Sequence, residues 1–154
     1  MKCPSVTFVA TALPRLCGIA TFTNHIASSF SGLCGSPLGQ NPKAKLVAIH
    51  NPAETLRYGS EVEFIIRKTQ RKDYVEAADF LNISQTDVVN LQHEYGIFGG
   101  DDGRYVLDLL ENLRKPVVTT FHTVLQNPSQ GQHDVLKRVC ELSTFVIVDR
   151  KSVV

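Results

Sequence analysis

The sequence predicts an α/β fold with a doubly wound, mostly parallel sheet and helices on both of its faces. Six short apolar runs, rich in Val, Ile and Phe, recur along the chain. Most of them are continuous rather than alternating, which is typical of strands that are buried on both faces. Helical patterns separate most of these runs, as βαβ units require.

The six apolar runs are predicted to be the strands of this sheet. The first follows the N-terminal residues Met1 to Pro4 directly, within residues 5–13. The predicted strands cover residues 6–12, 45–49, 62–66, 87–91, 116–121 and 145–148.

Four amphipathic patterns predict helices between these strands. Phe22, Ile26 and Phe30 recur at a spacing of four and form one apolar stripe. Residues 74–81, 105–113 and 135–142 predict the other three helices. No helical pattern separates the second strand from the third. Residues 32–42, rich in Gly, Pro and Ser, and residues 51–60 are predicted to be loops.

Length and composition define the broad class of protein. A chain of 154 residues is enough for one domain with a substantial core. The formal net charge of +1 gives no reason to expect a nucleic-acid partner. No apolar run approaches the ~20 residues of a transmembrane segment. We therefore expect a cytoplasmic protein, with peripheral attachment at the inner membrane face left open.

The cysteine pattern predicts neither a zinc site nor a disulfide framework. The four cysteines form no Cys-x-x-Cys pair, and no histidine stands at zinc-ligand spacing from them. Reduced thiols are expected in a cytosolic protein. Cys140, on the apolar face of the fourth helix, is expected to be buried.

The turn after the first strand is a candidate anion site. Gly18 stands where the loop meets the first helix, and the free N–H groups of a helix N-terminus bind anions. Thr21 or Thr23 is expected to cap this helix. A simple strand-to-helix turn remains the alternative. Neither a G-x-G-x-x-G fingerprint nor a Walker A motif is present.

Polar residues also follow the fourth and fifth predicted strands. His93 and Glu94 come after one strand and His122 after the next, where ligands bind in open α/β sheets. A zinc-protease motif is excluded, because Ile97 stands four residues after His93. A satisfied polar pair at a strand end is the alternative for His93 and Glu94. Asp101 and Asp102, in a glycine-rich segment, are better explained by turn chemistry than by cation binding.

Three segments occur in the order of a known family. They are residues 15–23 (RLCGIATFT), 91–100 (LQHEYGIFGG) and 116–125 (PVVTTFHTVL). With them, about residues 5–148 resemble the Rossmann-like N-terminal domain of a GT-B glycosyltransferase of family 4, the "group 1" type.

The resemblance implies retaining, metal-independent transfer of a sugar from a nucleotide-sugar donor, with no cofactor. The acceptor would be a glycan, a lipid or a small molecule. Gly18 and Ile19 would approach the donor diphosphate, although Cys17 stands where many relatives have glycine. His122 would be the catalytic residue near the reacting sugar. The acceptor would be bound by His93, Glu94, Tyr95 and Gly96.

The resemblance also predicts the organisation of the chain. Residues 1–148 would form the acceptor-side domain, and the donor-binding C-terminal domain would be absent, so the fragment alone is expected to be inactive. Residues 149–154 (DRKSVV) resemble a translated sequencing adaptor and are expected to be a non-native tail. Two alternatives stay open. One is a stand-alone Rossmann-like module that binds a phosphorylated small ligand, and the other is a different GT-B enzyme such as a nucleotide-sugar epimerase.

Overall fold

The structure, a computed structural model, describes residues 3–35, 44–148 and 153–154. Two single 3-10 turns, at Tyr95–Ile97 and Asp101–Gly103, separate β4 from α3. The helices and strands are β1 (Val6–Ala10), α1 (Gly18–Leu33), β2 (Ala44–His50), β3 (Val62–Arg67), α2 (Arg71–Ile83), β4 (Val88–His93), α3 (Val106–Asn112), β5 (Val117–Phe121), α4 (Gln130–Leu142) and β6 (Phe145–Val148).

The six strands form one parallel sheet in the order β3-β2-β1-β4-β5-β6. This arrangement confirms the predicted α/β class, the six strands and the four helices. The order of the strands reverses between β1 and β4. In doubly wound sheets the ligand crevice opens beyond the carboxyl ends of the strands at this reversal.

Alternate residues of the central strands pack into two separate cores. Phe8 and Leu46 belong to a cluster that α1 covers through Ala27. Val9 and Val47 point into a larger cluster. That cluster is covered by side chains of α2, α3 and α4, among them Tyr74, Leu109 and Val139. Helices therefore lie on both faces of the sheet, as predicted.

The prediction that the strands are buried on both faces is confirmed for the central strands and is wrong for the two edge strands, β3 and β6. Residues of β3 alternate between covered and exposed, and all four residues of β6 are exposed. Phe145 retains 69% of its surface. An edge strand has a neighbouring strand on one side only, so a continuous apolar run does not by itself ensure burial.

The first helix differs from its prediction at both ends. Cys17 caps it, rather than Thr21 or Thr23, and the helix continues to Leu33, through the start of the loop predicted at 32–42. Most of that loop, residues 36–42, lies outside the described residues. The absence of a helix between β2 and β3 is confirmed, since residues 51–61 are a loop.

The expectation of four reduced thiols is wrong in this structure. Cys3 and Cys34 form a disulfide, and Cys17 and Cys140 are free. The two bonded residues are 31 positions apart, so only the packing of α1 beside β1 brings them together. Cys140 is exposed rather than buried.

The terminal segment is described only in part. Residues 149–152 of the predicted non-native tail lie outside the described residues. Val153 pairs with Val124, just after β5, and the Val154 N–H donates to the Val124 carbonyl over 2.9 Å.

Candidate functional site

The turn from β1 into α1 presents free backbone donors at the carboxyl edge of the sheet. The Sγ of Cys17 accepts from the N–H of Ala20 at 3.4 Å, and the Cys17 carbonyl accepts from Thr21. Within the described residues, no acceptor meets the N–H groups of Gly18 and Ile19. A Cβ added at Gly18 would meet no atom within 4 Å. The start of α1 is therefore open to an anion.

His122 follows β5 and is oriented by a side chain from β4. Its Nε2 lies 2.7 Å from Oε1 of Gln92, which is fully buried. Gln92 donates its amide N–H to Oδ1 of Asn90, on the same face of β4. With the amide in this orientation Oε1 can only accept, so Nε2 of His122 carries the hydrogen and Nδ1 keeps its lone pair.

The environment of His122 favours the neutral ring. Burial lowers the pKa of His122, and the Glu94 carboxylate opposes this shift without reversing it. At neutral pH the imidazole can therefore accept a hydrogen bond or a proton at Nδ1.

Phe22 connects His122 to the start of α1. The Phe22 ring stands edge-on to the His122 ring, with centroids 4.9 Å apart and planes at 87°. Phe22 lies one helical turn after Gly18 and keeps 41% of its surface exposed. The structure thus brings the open N-terminus of α1 and His122 to one edge of the sheet.

Glu94 joins the segments that follow β4 and β5. Its Oε2 accepts from the Thr123 hydroxyl at 2.6 Å, and its Oε1 accepts from the N–H of Tyr95 at 2.9 Å. Glu94 and Thr123 are both partly exposed. A carboxylate at this position can accept hydrogen bonds from the hydroxyl groups of a ligand.

His93 lies inside the protein rather than in the crevice. It has no exposed surface, and neither ring nitrogen has a hydrogen-bond partner among the described residues. The rings of Tyr95, Phe98 and Phe121 lie 5.0–5.7 Å away, between centroids. Burial, with a smaller contribution from the nearby His122, lowers the pKa of His93 to about 4. In this conformation His93 supports the site from behind and does not reach a ligand.

The glycine-rich segment after β4 is fixed by hydrogen bonds between its backbone and side chains of neighbouring elements. The Tyr74 hydroxyl donates to the Lys68 carbonyl at 3.0 Å and accepts from the Gly99 N–H at 2.9 Å. A Cβ at Gly99 would come within 2.0 Å of the Lys68 carbonyl oxygen, so only glycine fits there. Gly96 is exposed, and its carbonyl accepts from Nζ of Lys68.

Sequence reasoning missed Gln92, Phe22 and Thr123 as parts of the site. Gln92 lies in the segment 91–100 at the end of β4, two residues after Asn90. Because residues two apart in a strand point to the same face, this spacing could have predicted their contact. Phe22 lies in the apolar stripe of α1 and in the 15–23 segment, and neither pattern predicts a role for it in the site. Its contact with His122 is a tertiary contact that helical periodicity does not reveal.

The described residues contain no group of three His, Cys, Asp or Glu side chains arranged to hold a metal ion. None of their helices combines the length and the apolar character that crossing a membrane requires. Fold and site together define a Rossmann-like α/β domain with an open helix N-terminus beside a neutral histidine. Comparison with protein-family models, curated proteins and solved structures gives no match.

Proposed function

We propose that this chain is the acceptor-side domain of a retaining GT-B glycosyltransferase, of the family 4 type. The observation that carries the proposal is the Phe22–His122 contact, which holds the open start of α1 beside His122. A donor diphosphate at Gly18 and Ile19 would place its sugar near His122. A second domain, facing this edge, would hold the nucleotide.

Each residue of the crevice has a distinct role in this proposal. The free N–H groups of Gly18 and Ile19 bind the diphosphate. His122 accepts a hydrogen bond from a hydroxyl of the reacting sugar through Nδ1. Glu94 accepts one from the acceptor, with Tyr95 and Gly96 beside it. His93, which the sequence predicts to bind the acceptor, is instead a buried support behind these residues.

Binding of a diphosphate to the whole chain tests the anion site. Pyrophosphate and UDP-glucose are titrated into ¹⁵N-labelled protein, and the amide signals of Gly18 and Ile19 are expected to shift. In Gly18→Asp the new carboxylate repels the ligand, so binding is expected to weaken by about tenfold or more. An acidic side chain is favourable at a helix N-terminus, so the fold is not expected to suffer.

Gly18→Ala is the matched control, because it removes the glycine without adding charge and its Cβ meets no neighbouring atom. It is expected to retain most of the binding. A titration that shifts signals elsewhere and leaves those of Gly18 and Ile19 in place would contradict the proposed anion site.

Transferase activity is tested on the complete reading frame of the gene. That protein is assayed for release of nucleoside diphosphate from a panel of nucleotide sugars. His122→Ala is expected to lower kcat strongly, and chelators are expected to have no effect. Binding of a phosphorylated ligand without turnover by the complete protein would favour a stand-alone binding module instead.

A further inference from the structure

A second group of polar side chains lies at the carboxyl edge, beyond the ends of β1 and β2. Arg15, in the turn before α1, faces Glu54 in the β2–β3 loop, with its Nε 3.6 Å from Oε1. His50 ends β2, and its Nδ1 lies 3.0 Å from the hydroxyl of Tyr58. Tyr58 follows Glu54 by four residues in the same loop, and burial and Glu54 raise its pKa while Arg15 lowers it. We call these four residues the polar cluster.

Two atoms in this cluster are left without partners. Nη1 of Arg15 and Oε2 of Glu54 are buried, and no described residue hydrogen-bonds to either of them. Unpaired buried atoms are unfavourable, because each has lost its contacts with water. The two side chains retain 22% and 34% of their surface, so both remain partly accessible to a ligand.

The charges of the pair select the chemistry of that ligand. A phosphate would be attracted to Arg15 but repelled by Glu54, and an ammonium group would meet the reverse. A hydroxyl both donates and accepts hydrogen bonds. Two adjacent hydroxyls of a sugar can therefore accept from the guanidinium and donate to the carboxylate at the same time.

We infer that Arg15 and Glu54 form a subsite for the vicinal hydroxyls of an uncharged sugar or polyol. The inference rests on the proposed function and narrows its acceptor to one that carries a neutral hydroxylated ring. Arg15 stands three residues before Gly18, so the subsite adjoins the turn that would bind the donor diphosphate. Tyr58, which hydrogen-bonds to His50, lies in the same loop as Glu54.

The test titrates the ¹⁵N-labelled full chain with methyl α-glucoside, methyl α-mannoside and myo-inositol, and separately with inorganic phosphate. At least one neutral probe is expected to shift the amide signals of Arg15, Glu54 and Tyr58. Arg15→Met and Glu54→Gln are each expected to weaken that binding by about tenfold. Arg57→Met changes an exposed cation of the same loop and is expected to leave the binding unchanged.

Binding of phosphate is a second measurement, and it would not change if Arg15 and Glu54 had a purely structural role. Glu54→Gln keeps the shape of the side chain but removes its charge, so phosphate is expected to gain access to Arg15. If Arg15→Met does not fold, Arg15→Lys, which keeps the cation but not the planar fork, replaces it.

Three results would overturn the subsite: no response to any neutral probe, stronger binding of phosphate by the unmodified chain, or equal effects of Arg15→Met and Arg57→Met. Failure of the proposed function is distinguishable, since it would remove the pyrophosphate response at Gly18 and Ile19. That result would leave the sugar response at Arg15 and Glu54 intact.

Discussion

Nε2 of His122 and Oε1 of Gln92 lie 2.7 Å apart, and the amide of Gln92 is fully buried. Gln92 is itself held by Asn90, two residues earlier on β4. The orientation of the His122 ring is therefore set by the neighbouring strand rather than by its own loop. A buried amide whose own orientation is fixed selects one tautomer of the imidazole that it contacts. A histidine that is bonded only to water has no such preference imposed on it.

Replacing Gln92 with Glu is expected to raise the pKa of His122. A carboxylate in place of the amide oxygen favours the imidazolium form, by about 1 pKa unit or more. The measurement is an NMR titration of the His122 ring protons. Glu94→Gln should act in the opposite direction, because Glu94 now holds the pKa of His122 up against burial. Identical titration curves in both variants would contradict this account of the histidine's environment.

Tyr74→Phe is expected to loosen the segment that carries Glu94. The variant leaves the N–H of Gly99 and the carbonyl of Lys68 without their shared partner. The expected loss of unfolding free energy is about 1–3 kcal/mol, with faster hydrogen exchange at the Gly99 amide. Tyr105→Phe is the control, because no described residue hydrogen-bonds to the Tyr105 hydroxyl, and it should change neither quantity. Equal effects of the two variants would contradict the role of the Tyr74 hydroxyl.

Thiol titration distinguishes the disulfide from the four reduced cysteines that the sequence predicts. The denatured, unreduced chain is expected to show two thiols, those of Cys17 and Cys140. Reduction is expected to lower the unfolding free energy by about 2–4 kcal/mol, because the bond closes a long loop. Cys140→Ser should keep this sensitivity to reductant, and the double variant Cys3→Ser, Cys34→Ser should lose it. Four thiols in the unreduced chain would contradict the bond.

The fold follows from local patterns, and much of the site does not. Continuous apolar runs such as residues 45–49 predict central strands of a parallel sheet, because helices on both sides of such a sheet bury both faces of these strands. The exposure of Phe145 and the Cys3–Cys34 bond depend on which elements become neighbours in space, and local patterns of residues do not reveal that. The positions of His122 and Gly18 after predicted strands placed both residues at one edge of the sheet, because the carboxyl ends of parallel strands lie at the same edge.

His93 shows a different limit of sequence reasoning. A histidine at a strand end suggests a ligand contact, yet its side chain points inward among three aromatic rings. Whether the last residue of a strand faces the core or the crevice depends on a register of one residue. The motif shows the residue type but not this direction.

The burial of His93 predicts a stability that depends on pH. Its pKa is about 4 in the folded protein and about 6.5 when unfolded. Between these values the unfolded chain binds a proton that the folded chain does not, so acid favours unfolding. The contribution is complete above about pH 6.5 and is lost as the pH falls towards 4, by about 3 kcal/mol in all.

Replacing His93 with Leu is expected to remove this dependence. Neither ring nitrogen has a hydrogen-bond partner among the described residues, so an apolar side chain leaves no described polar group unpaired. Stability at pH 7 should therefore change by no more than about 1.5 kcal/mol. Denaturant unfolding at pH 7 and pH 5 measures the difference. His25→Gln, at an exposed position of α1, should keep the full dependence of the unmodified chain. Some dependence of the unfolding free energy on pH is expected to remain in His93→Leu, because the pKa of His122 is also lowered. A dependence as steep as in the unmodified chain would show that His93 is not the group that titrates.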